Sequence, residues 1–273
     1  MTYIFTTAPD TPENREILTA WLALLNFDAF EEDDSALYAY TTAVIDETEL
    51  QEIIRNAQFK VEYRSEQPPN INWNEQWEKN YFTPVAIGNS LVIRAPFHTH
   101  FPKARHELVI EPNMAFGTGH HETTLLMAEL LLMLDLRDKN VLDMGCGTGI
   151  LGMLASRLGA SNITAIDNDE RAVKSATENA RLNNIHNMHV VQGDASMLPK
   201  QRRFDLIIAN IQKNVIIADL PAYAACLTQE GLILVSGFYA DDLPDVIARA
   251  TQLSLQKELH IEQNHWIACK LSS

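Results

Sequence analysis

The chain has 273 residues, of which 46% are hydrophobic, and it carries 21 Lys and Arg against 36 Asp and Glu, a formal net charge of −15. The hydrophobic fraction excludes wholesale disorder, and the length predicts two domains or one large α/β unit. The chain has no apolar run near the roughly 20 residues of a membrane-spanning helix and no secretory signal at its start. Its three scattered cysteines match neither a disulfide framework nor a zinc site, so we expect a soluble, cytoplasmic protein.

The acidic charge is spread unevenly along the chain. Residues 1–69 hold fourteen acidic and four basic side chains, a net charge of −10, whereas residues 70–273 have a net charge of −5. Such a balance argues against direct nucleic-acid binding, which needs concentrated Lys and Arg. The acidic N-terminal region is open to two interpretations: a solubilising surface, or a docking surface for a basic partner.

The first 69 residues predict a small α+β domain. Their hydrophobic pattern gives strands at 3–7, 27–32, 36–43 and 59–64, with helices at 13–26 and 47–57. This β-α-β-β-α-β order is typical of the ferredoxin-like arrangement, an antiparallel sheet with both helices on one face.

Residues 70–120 form a predicted irregular connector, with a short helix carrying Trp73 and Trp77 and a hairpin at 85–94. Packing of the linker is favoured over substrate contact for both tryptophans. A long helix predicted from Glu122 to about Leu136 is followed by alternating strands and helices, and then by two strands with no helix between them. The pattern predicts an α/β domain over 121–273: a doubly wound, mostly parallel, Rossmann-like sheet with an antiparallel edge hairpin.

The clearest motif lies at residues 141–149, VLDMGCGTG, where a buried strand meets a helix. Gly145, Gly147 and Gly149 allow a ligand to approach the backbone and the helix N-terminus. Gly147, Gly149 and Gly152 also fit G-x-G-x-x-G, with Asp167 twenty residues after Gly147. A nicotinamide dinucleotide site is therefore an alternative.

Polar residues at strand ends favour a different ligand. Asp143 would repel a pyrophosphate but suits an ammonium group, while Asp167 suits two ribose hydroxyls and Asp194 an adenine amino group. Asn210 follows the fourth strand. S-adenosylmethionine has no phosphate and needs such acceptors, so we favour a methyltransferase site. A strand-end turn remains the alternative for Asp194, and a strand-end cap for Asn210.

The glycine loop resembles motif I of class I methyltransferases. Residues 115–124, AFGTGHHETT, resemble the signature of ribosomal protein L11 methyltransferases, and 209–211 and 236–237 also fit. The resemblance covers nearly the whole chain. It implies cofactor contacts at Thr124, Gly145, Asp167 and Asn210.

The resemblance also implies a function. The N-terminal domain would hold a basic protein of the large ribosomal subunit, and methyl groups from S-adenosylmethionine would pass to lysine ε-amines and an N-terminal α-amine. We expect a monomer that orients and desolvates a neutral amine without a metal or a nucleophile. Asn210 would orient the amine through its carbonyl, helped by Thr118 and Phe116, and glycines 117 and 119 suggest a lid.

The chain departs from the family pattern at three positions that flank the site. His120 and Glu122 stand where the family has Thr and Pro, and Gln212 stands where Leu is common. Adjacent histidines do not share a helix face, so His121 is interpreted as a polar wall residue and no metal is expected. Cys146 is interpreted as a small apolar filler.

Competing functions remain open at this level: methylation of another protein or a small amine, non-catalytic binding of a ribosomal protein, and RNA methylation. The charge of −15 disfavours the last of these.

Overall fold

The computed structural model describes residues 1–33, 36–41, 43–66, 83–112, 119–201 and 203–273. The chain divides into two compact units, Met1–Gln76 and Trp77–Ser273. The predicted linker helix with Trp73 and Trp77, and the predicted site residues Phe116 and Thr118, lie outside the described residues.

The first unit has the predicted β-α-β-β-α-β order. Its sheet order is β2-β3-β1-β4, with every neighbouring pair antiparallel. This is the ferredoxin-like arrangement, and the prediction is confirmed. The elements are β1 (Thr2–Ala8), α1 (Pro12–Leu22), β2 (Ala29–Glu32), β3 (Leu37–Tyr40), α2 (Glu47–Asn56) and β4 (Lys60–Glu66).

Both helices of this unit begin at polar caps and bury one face. The Thr11 hydroxyl accepts from the Asn14 amide at 3.2 Å, and the Asp46 carboxylate accepts from the Thr48 amide at 2.8 Å. The core consists of one face of the sheet together with the apolar face of each helix. Its fully buried members include Phe5, Leu18, Leu22, Leu37 and Leu50.

The described part of the connector belongs to the second unit. β5 (Val85–Ile87) and β6 (Leu91–Arg94) form the predicted hairpin. β7 (His106–Val109) then adds to β6 in parallel, which the sequence analysis missed. The connector is therefore more regular than predicted, because a parallel pairing between distant segments leaves no local signal. Its buried side chains join the core of the second unit.

A seven-stranded sheet forms the centre of the second unit. The elements are α3 (Glu122–Leu132), β8 (Asn140–Met144), α4 (Ile150–Arg157), β9 (Asn162–Asp167), α5 (Glu170–Leu182), β10 (Met188–Gln192), β11 (Phe204–Asn210), α6 (Lys213–Cys226), β12 (Leu227–Tyr239), α7 (Leu243–Gln252), β13 (Gln256–Gln263) and β14 (Trp266–Ser272). The sheet order is β10-β9-β8-β11-β12-β14-β13. The first five strands are parallel and the last two are antiparallel to their neighbours, which confirms the predicted α/β fold.

Apolar clusters cover both faces of this sheet. Helices α3, α4 and α5 contribute to one cluster, and α6 and α7 contribute to the other. The carboxyl ends of the parallel strands meet at one edge, where open sheets of this kind bind ligands. Because β14 is antiparallel to β12, its first residue, Trp266, lies at that same edge opposite Tyr239. In the described ranges, no helix has the length and apolar character needed to cross a membrane.

Candidate functional site

A cavity of about 560 Å³ opens at the carboxyl edge of the seven-stranded sheet. Its size is that of a small-molecule site. Residues at or just after the ends of the parallel strands line it, together with the start of α3 and Trp266. Of the predicted site residues, the cavity wall includes Gly145, Gly147, Asp167, Asp194 and Asn210.

The glycine loop forms the floor of the cavity. Gly145 has a φ of +66°, and a Cβ on it would meet the Ile211 side chain at 2.2 Å, so only glycine fits. Gly149 starts α4 and lies against Ala176 and Met188 instead of the cavity. Its φ of +77° and its close packing against α5 and β10 explain why glycine stands here.

Asp143 lies beneath the glycine loop. It is 2% exposed, is not among the residues that line the cavity, and accepts a hydrogen bond from the Gly152 amide at 2.9 Å. Burial raises the pKa of Asp143 to about 7, and the nearby Asp167 charge acts in the same direction. The carboxyl group therefore bonds to the first turn of α4, on the inner side of the loop.

Asp167 is held rigidly at the end of β9. One carboxylate oxygen accepts from the Gly147 amide at 2.9 Å and the other from the Asp169 amide at 3.0 Å. Each oxygen retains acceptor capacity toward the cavity. The carboxylate is thus pre-oriented for a pair of hydroxyl donors.

The position of Asp194 is compatible with both of its predicted roles, a strand-end turn and a ligand contact. Its carboxylate accepts from the Ser196 amide at 2.8 Å, which caps a short 3₁₀ helix (Ala195–Met197), and it also lines the cavity. The hydrogen bonds from Ser196 lower the pKa of Asp194. Asp219, which the sequence analysis missed, lines the same end. Burial raises its pKa, and the charge of Asp194 acts in the same direction.

Two buried oxygens lack a hydrogen-bond partner among the described residues: Asn210 Oδ1 and Thr124 Oγ1. Leaving a buried polar atom unpaired costs about 1–3 kcal/mol, so such an atom indicates a missing donor. Asn210 is part of the cavity wall, whereas Thr124 is buried in the first turn of α3 beside the wall residue Thr123. Asn210 therefore brings a buried oxygen, without a partner among the described residues, to the wall of the cavity.

The other end of the cavity is aromatic. The rings of His121 and Trp266 meet edge to face with centroids 4.7 Å apart, and Tyr239 lies against Trp266 at 4.2 Å. His121 was expected at the wall; Trp266 was not, because only the sheet topology brings β14 to this edge. Gly237, which fits the family resemblance but was not predicted as a site residue, also lines the cavity. It has a φ of +94°, and a Cβ there would meet the Ile211 carbonyl oxygen at 2.3 Å.

The structure describes all three residues that depart from the family pattern: His120, Glu122 and Gln212. The His120 ring lies 2.9 Å from the Thr83 carbonyl oxygen, and Glu122 accepts from the Asn264 side chain at 3.1 Å. Gln212 lines the cavity and precedes α6. Within the described ranges, no three His, Cys, Asp or Glu side chains come together as a metal site requires.

The charge of the cavity identifies the class of ligand. Three carboxylates and no Lys or Arg are among its described lining residues, and this negative charge disfavours a phosphate-bearing dinucleotide. S-adenosylmethionine does fit, because it has no phosphate and offers hydroxyl and amino donors. A parallel sheet extended by an antiparallel hairpin, with such a cavity at its carboxyl edge, defines a class I S-adenosylmethionine-dependent methyltransferase.

The family model described as ribosomal protein L11 methyltransferase (PrmA) matches residues 10–273, and the chain belongs to this family. A ribosomal protein L11 methyltransferase from Phocaeicola vulgatus is 43% identical over 270 residues, which cover 97% of this chain and 96% of that protein. One from Porphyromonas gingivalis is 46% identical, covering 94% of this chain and 90% of that protein.

A solved structure described as a ribosomal protein L11 methylase is also similar to this chain. The crystal structure of a ribosomal protein L11 methylase from Lactobacillus delbrueckii subsp. bulgaricus superimposes with a TM-score of 0.65 at 27% sequence identity. The match covers 70% of this chain and 98% of that one.

Proposed function

We propose that this chain methylates amino groups of ribosomal protein L11, at lysine side chains and the N-terminal α-amine. The observation that carries the proposal is the buried Asn210 Oδ1, which has no partner among the described residues, in a cavity whose described lining contains no Lys or Arg. Relatives similar over nearly the whole chain are named for methylation of that protein, which supports it as the substrate.

The residues that would hold the cofactor are spread along the edge of the sheet. Asp194 would accept from an adenine amino group and Asp167 from the ribose hydroxyls, while Gly145 and Gly147 let the methionine part approach the backbone. Bound S-adenosylmethionine supplies an electrophilic methyl group on a positively charged sulfur. Thr124, Asp143 and Gly149 do not line the cavity, so we propose that they support the loop from behind.

Asn210 is proposed as the residue that orients the acceptor amine. A lysine of pKa near 10.4 is almost wholly protonated at neutral pH, so the site must select the neutral amine. An amide oxygen accepts an N–H bond without offering the full negative charge that would favour the ammonium form. One accepted N–H bond leaves the nitrogen lone pair free to point at the methyl group. Phe116 and Thr118 stay predicted members of this wall.

The test is an assay with purified ribosomal protein L11 and isotopically labelled S-adenosylmethionine. Asn210→Ala should lower kcat by about 100-fold, because orientation is lost, while cofactor affinity measured by calorimetry stays within a few-fold. Asn162→Ala is the matched control: this exposed asparagine starts β9 at the opposite edge of the sheet, and its loss should change neither value. Label on RNA or on a different protein, or unchanged turnover in Asn210→Ala, would contradict the proposal.

The N-terminal unit is proposed as the dock for the basic substrate. It carries most of the acidic excess of the chain. On the face of its sheet opposite the helices, Ile4 lies between Tyr38 and Arg64, and the Tyr40 hydroxyl donates to Glu31 at 2.8 Å. An aromatic centre beside carboxylates suits a protein surface rich in Lys and Arg.

A further inference from the structure

A second cavity, of about 390 Å³, lies at the edge of the sheet opposite the glycine loop. Its described lining comes from the ends of α4 and α5 and from β7 with the residue before it. Both helices begin at the carboxyl edge of the parallel strands and run back along them, so they end at the amino edge. We call this the amino-edge cavity. It shares no described lining residue with the cofactor cavity.

The amino-edge cavity is lined by cationic groups, although the chain as a whole is acidic. Arg105, His106 and Arg157 line it, and the charges of both arginines act on the His106 ring, which places the three groups close together. The described lining carboxylate, Glu107, forms an ion pair with Arg94 at 2.7 Å. Among the residues that the structure describes, neither Arg105 nor Arg157 has a carboxylate partner. The cavity therefore carries positive charge that no described lining carboxylate balances.

The wall that holds these groups is fixed by hydrogen bonds. Arg157 Nη2 donates to the Asn183 carbonyl oxygen at 2.8 Å, which uses one of the several N–H donors of the guanidinium. The buried Asn183 side chain in turn accepts from the Val109 amide at 2.8 Å and donates to the Val109 carbonyl at 2.6 Å. The end of α5 is thereby joined to β7, the strand that begins with His106. Arg157 and His106 are thus held on one connected wall.

The chemistry of this wall matches a phosphate group. Guanidinium groups bind phosphate oxygens through paired N–H donors, and an imidazole ring can add another donor. Burial, together with the charges of Arg105 and Arg157, lowers the pKa of His106, so the ring is neutral at neutral pH. An anion beside it would favour the protonated form. The net charge of −15 and the small extent of the positive surface argue against a long RNA strand.

We propose that the amino-edge cavity binds a small molecule that carries a terminal phosphate group. The phosphate oxygens accept hydrogen bonds from Arg105, Arg157 and the His106 ring. Val109 and Leu182 line the same cavity and offer an apolar surface to the carbon part of the ligand. The site is separate from the methyl-transfer site and does not depend on the identity of the methyl acceptor.

The first experiment adds inorganic phosphate to the isotopically labelled full chain and follows the His106 ring by NMR, with ionic strength held constant by chloride. Phosphate should shift the ring signals saturably and raise the pKa of His106. Arg105→Ala should weaken phosphate binding by about tenfold, because a charge-assisted hydrogen bond is lost. Arg105 is exposed, and the amide spectrum reports whether the variant keeps its fold. Lys103→Ala is the matched control: this exposed residue does not line the cavity, and its loss should leave phosphate affinity unchanged.

Two further probes separate the sources of the phosphate. Ribose 5-phosphate and a short RNA oligonucleotide are compared in the presence of S-adenosylhomocysteine, which occupies the cofactor cavity. Ribose 5-phosphate should bind at least as tightly as inorganic phosphate, and the RNA more weakly. Tighter binding of the RNA than of ribose 5-phosphate overturns the small-molecule ligand. A His106 signal that phosphate does not move, or moves equally in the wild type and Arg105→Ala, overturns the site.

Discussion

At the scale of single residues, the site depends on where polar atoms are left unpaired and where they are not. Asn210 Oδ1 has no described partner, whereas both oxygens of Asp167 hold backbone amides. Asp143 differs from both, because it is fully enclosed and bonded to Gly152. These neighbours on one sheet edge therefore differ in their contacts: Asn210 has an oxygen without a described partner, Asp167 is fixed by two backbone amides, and Asp143 bonds to α4.

The raised pKa of Asp143 predicts a pH dependence of stability. Its folded-state pKa of about 7 lies above the ordinary value of 3.8, so the folded protein binds this proton more tightly than the unfolded chain. Stability should therefore fall as the pH rises from about 4 to about 7, and level off above it. Relative to Asp143→Asn, the wild type without cofactor should lose about 2 to 3 kcal/mol between about pH 5 and pH 8.

Thermal melting at a series of pH values measures this difference. Asp135→Asn is the control, because hydrogen bonds from Arg137 lower the pKa of Asp135 to about 2 and its effect lies below the tested range. A constant difference between the wild type and Asp143→Asn across the series would show that Asp143 is ionised in the folded protein.

At the scale of elements, the start of α3 and the β13–β14 turn are joined across the mouth of the site. His121 caps α3, and Glu122 accepts from Asn264 in the turn that precedes Trp266. Glu122 stands where the motif of the family resemblance has Pro, so this contact depends on a residue that departs from that motif. It ties together the two elements that supply His121 and Trp266 to the cavity.

Glu122→Ala should remove the hydrogen bond between the start of α3 and the β13–β14 turn. The hydrogen bond is exposed, so the unfolding free energy should change little, while KM for the protein substrate rises a few-fold and cofactor affinity is kept. Glu170→Ala is matched to it, because Glu170 is likewise the first residue of a helix, α5, and makes no link to the hairpin. Steady-state kinetics with equal KM in the two variants would argue against a positioning role for Glu122.

At the scale of the whole molecule, the uneven distribution of charge predicts a function in attracting the substrate. Residues 1–69, with a net charge of −10, would attract a basic substrate toward the methyltransferase domain over distances set by ionic strength. The alternative is that the charge only keeps the protein soluble. It predicts that the rate of association with the substrate does not depend on which acidic residues are changed.

Charge reversal distinguishes these explanations. Glu31, Glu32 and Asp34 changed to Lys should slow association with ribosomal protein L11 by about tenfold at low salt and weaken its salt dependence. Asp33 is kept, because its carboxylate accepts from the Ala36 amide at 2.9 Å. The control reverses Glu178, Glu230 and Glu262, exposed residues of the second unit, with the same change in net charge. Stopped-flow rates that fall equally in both triple variants would indicate a solubilising role only.

The sequence by itself determined both fold types and most of the cofactor end of the site. Period-two and period-3.6 hydrophobic patterns are local properties of the chain, and so are the glycines 145–149 and the polar residues Asp167, Asp194 and Asn210 that follow successive strands. Parallel strands then bring these residues to one edge without further information.

Only the tertiary structure decided the rest. Trp266, Asp219 and Gly237 reach the cavity through strand order and helix packing, which join segments far apart in sequence. The inward direction of Asp143 depends on the helix amide that it meets, and β7 depends on a partner strand with no local signal. A sequence pattern specifies what each segment buries, whereas the site is defined by which buried segments become neighbours.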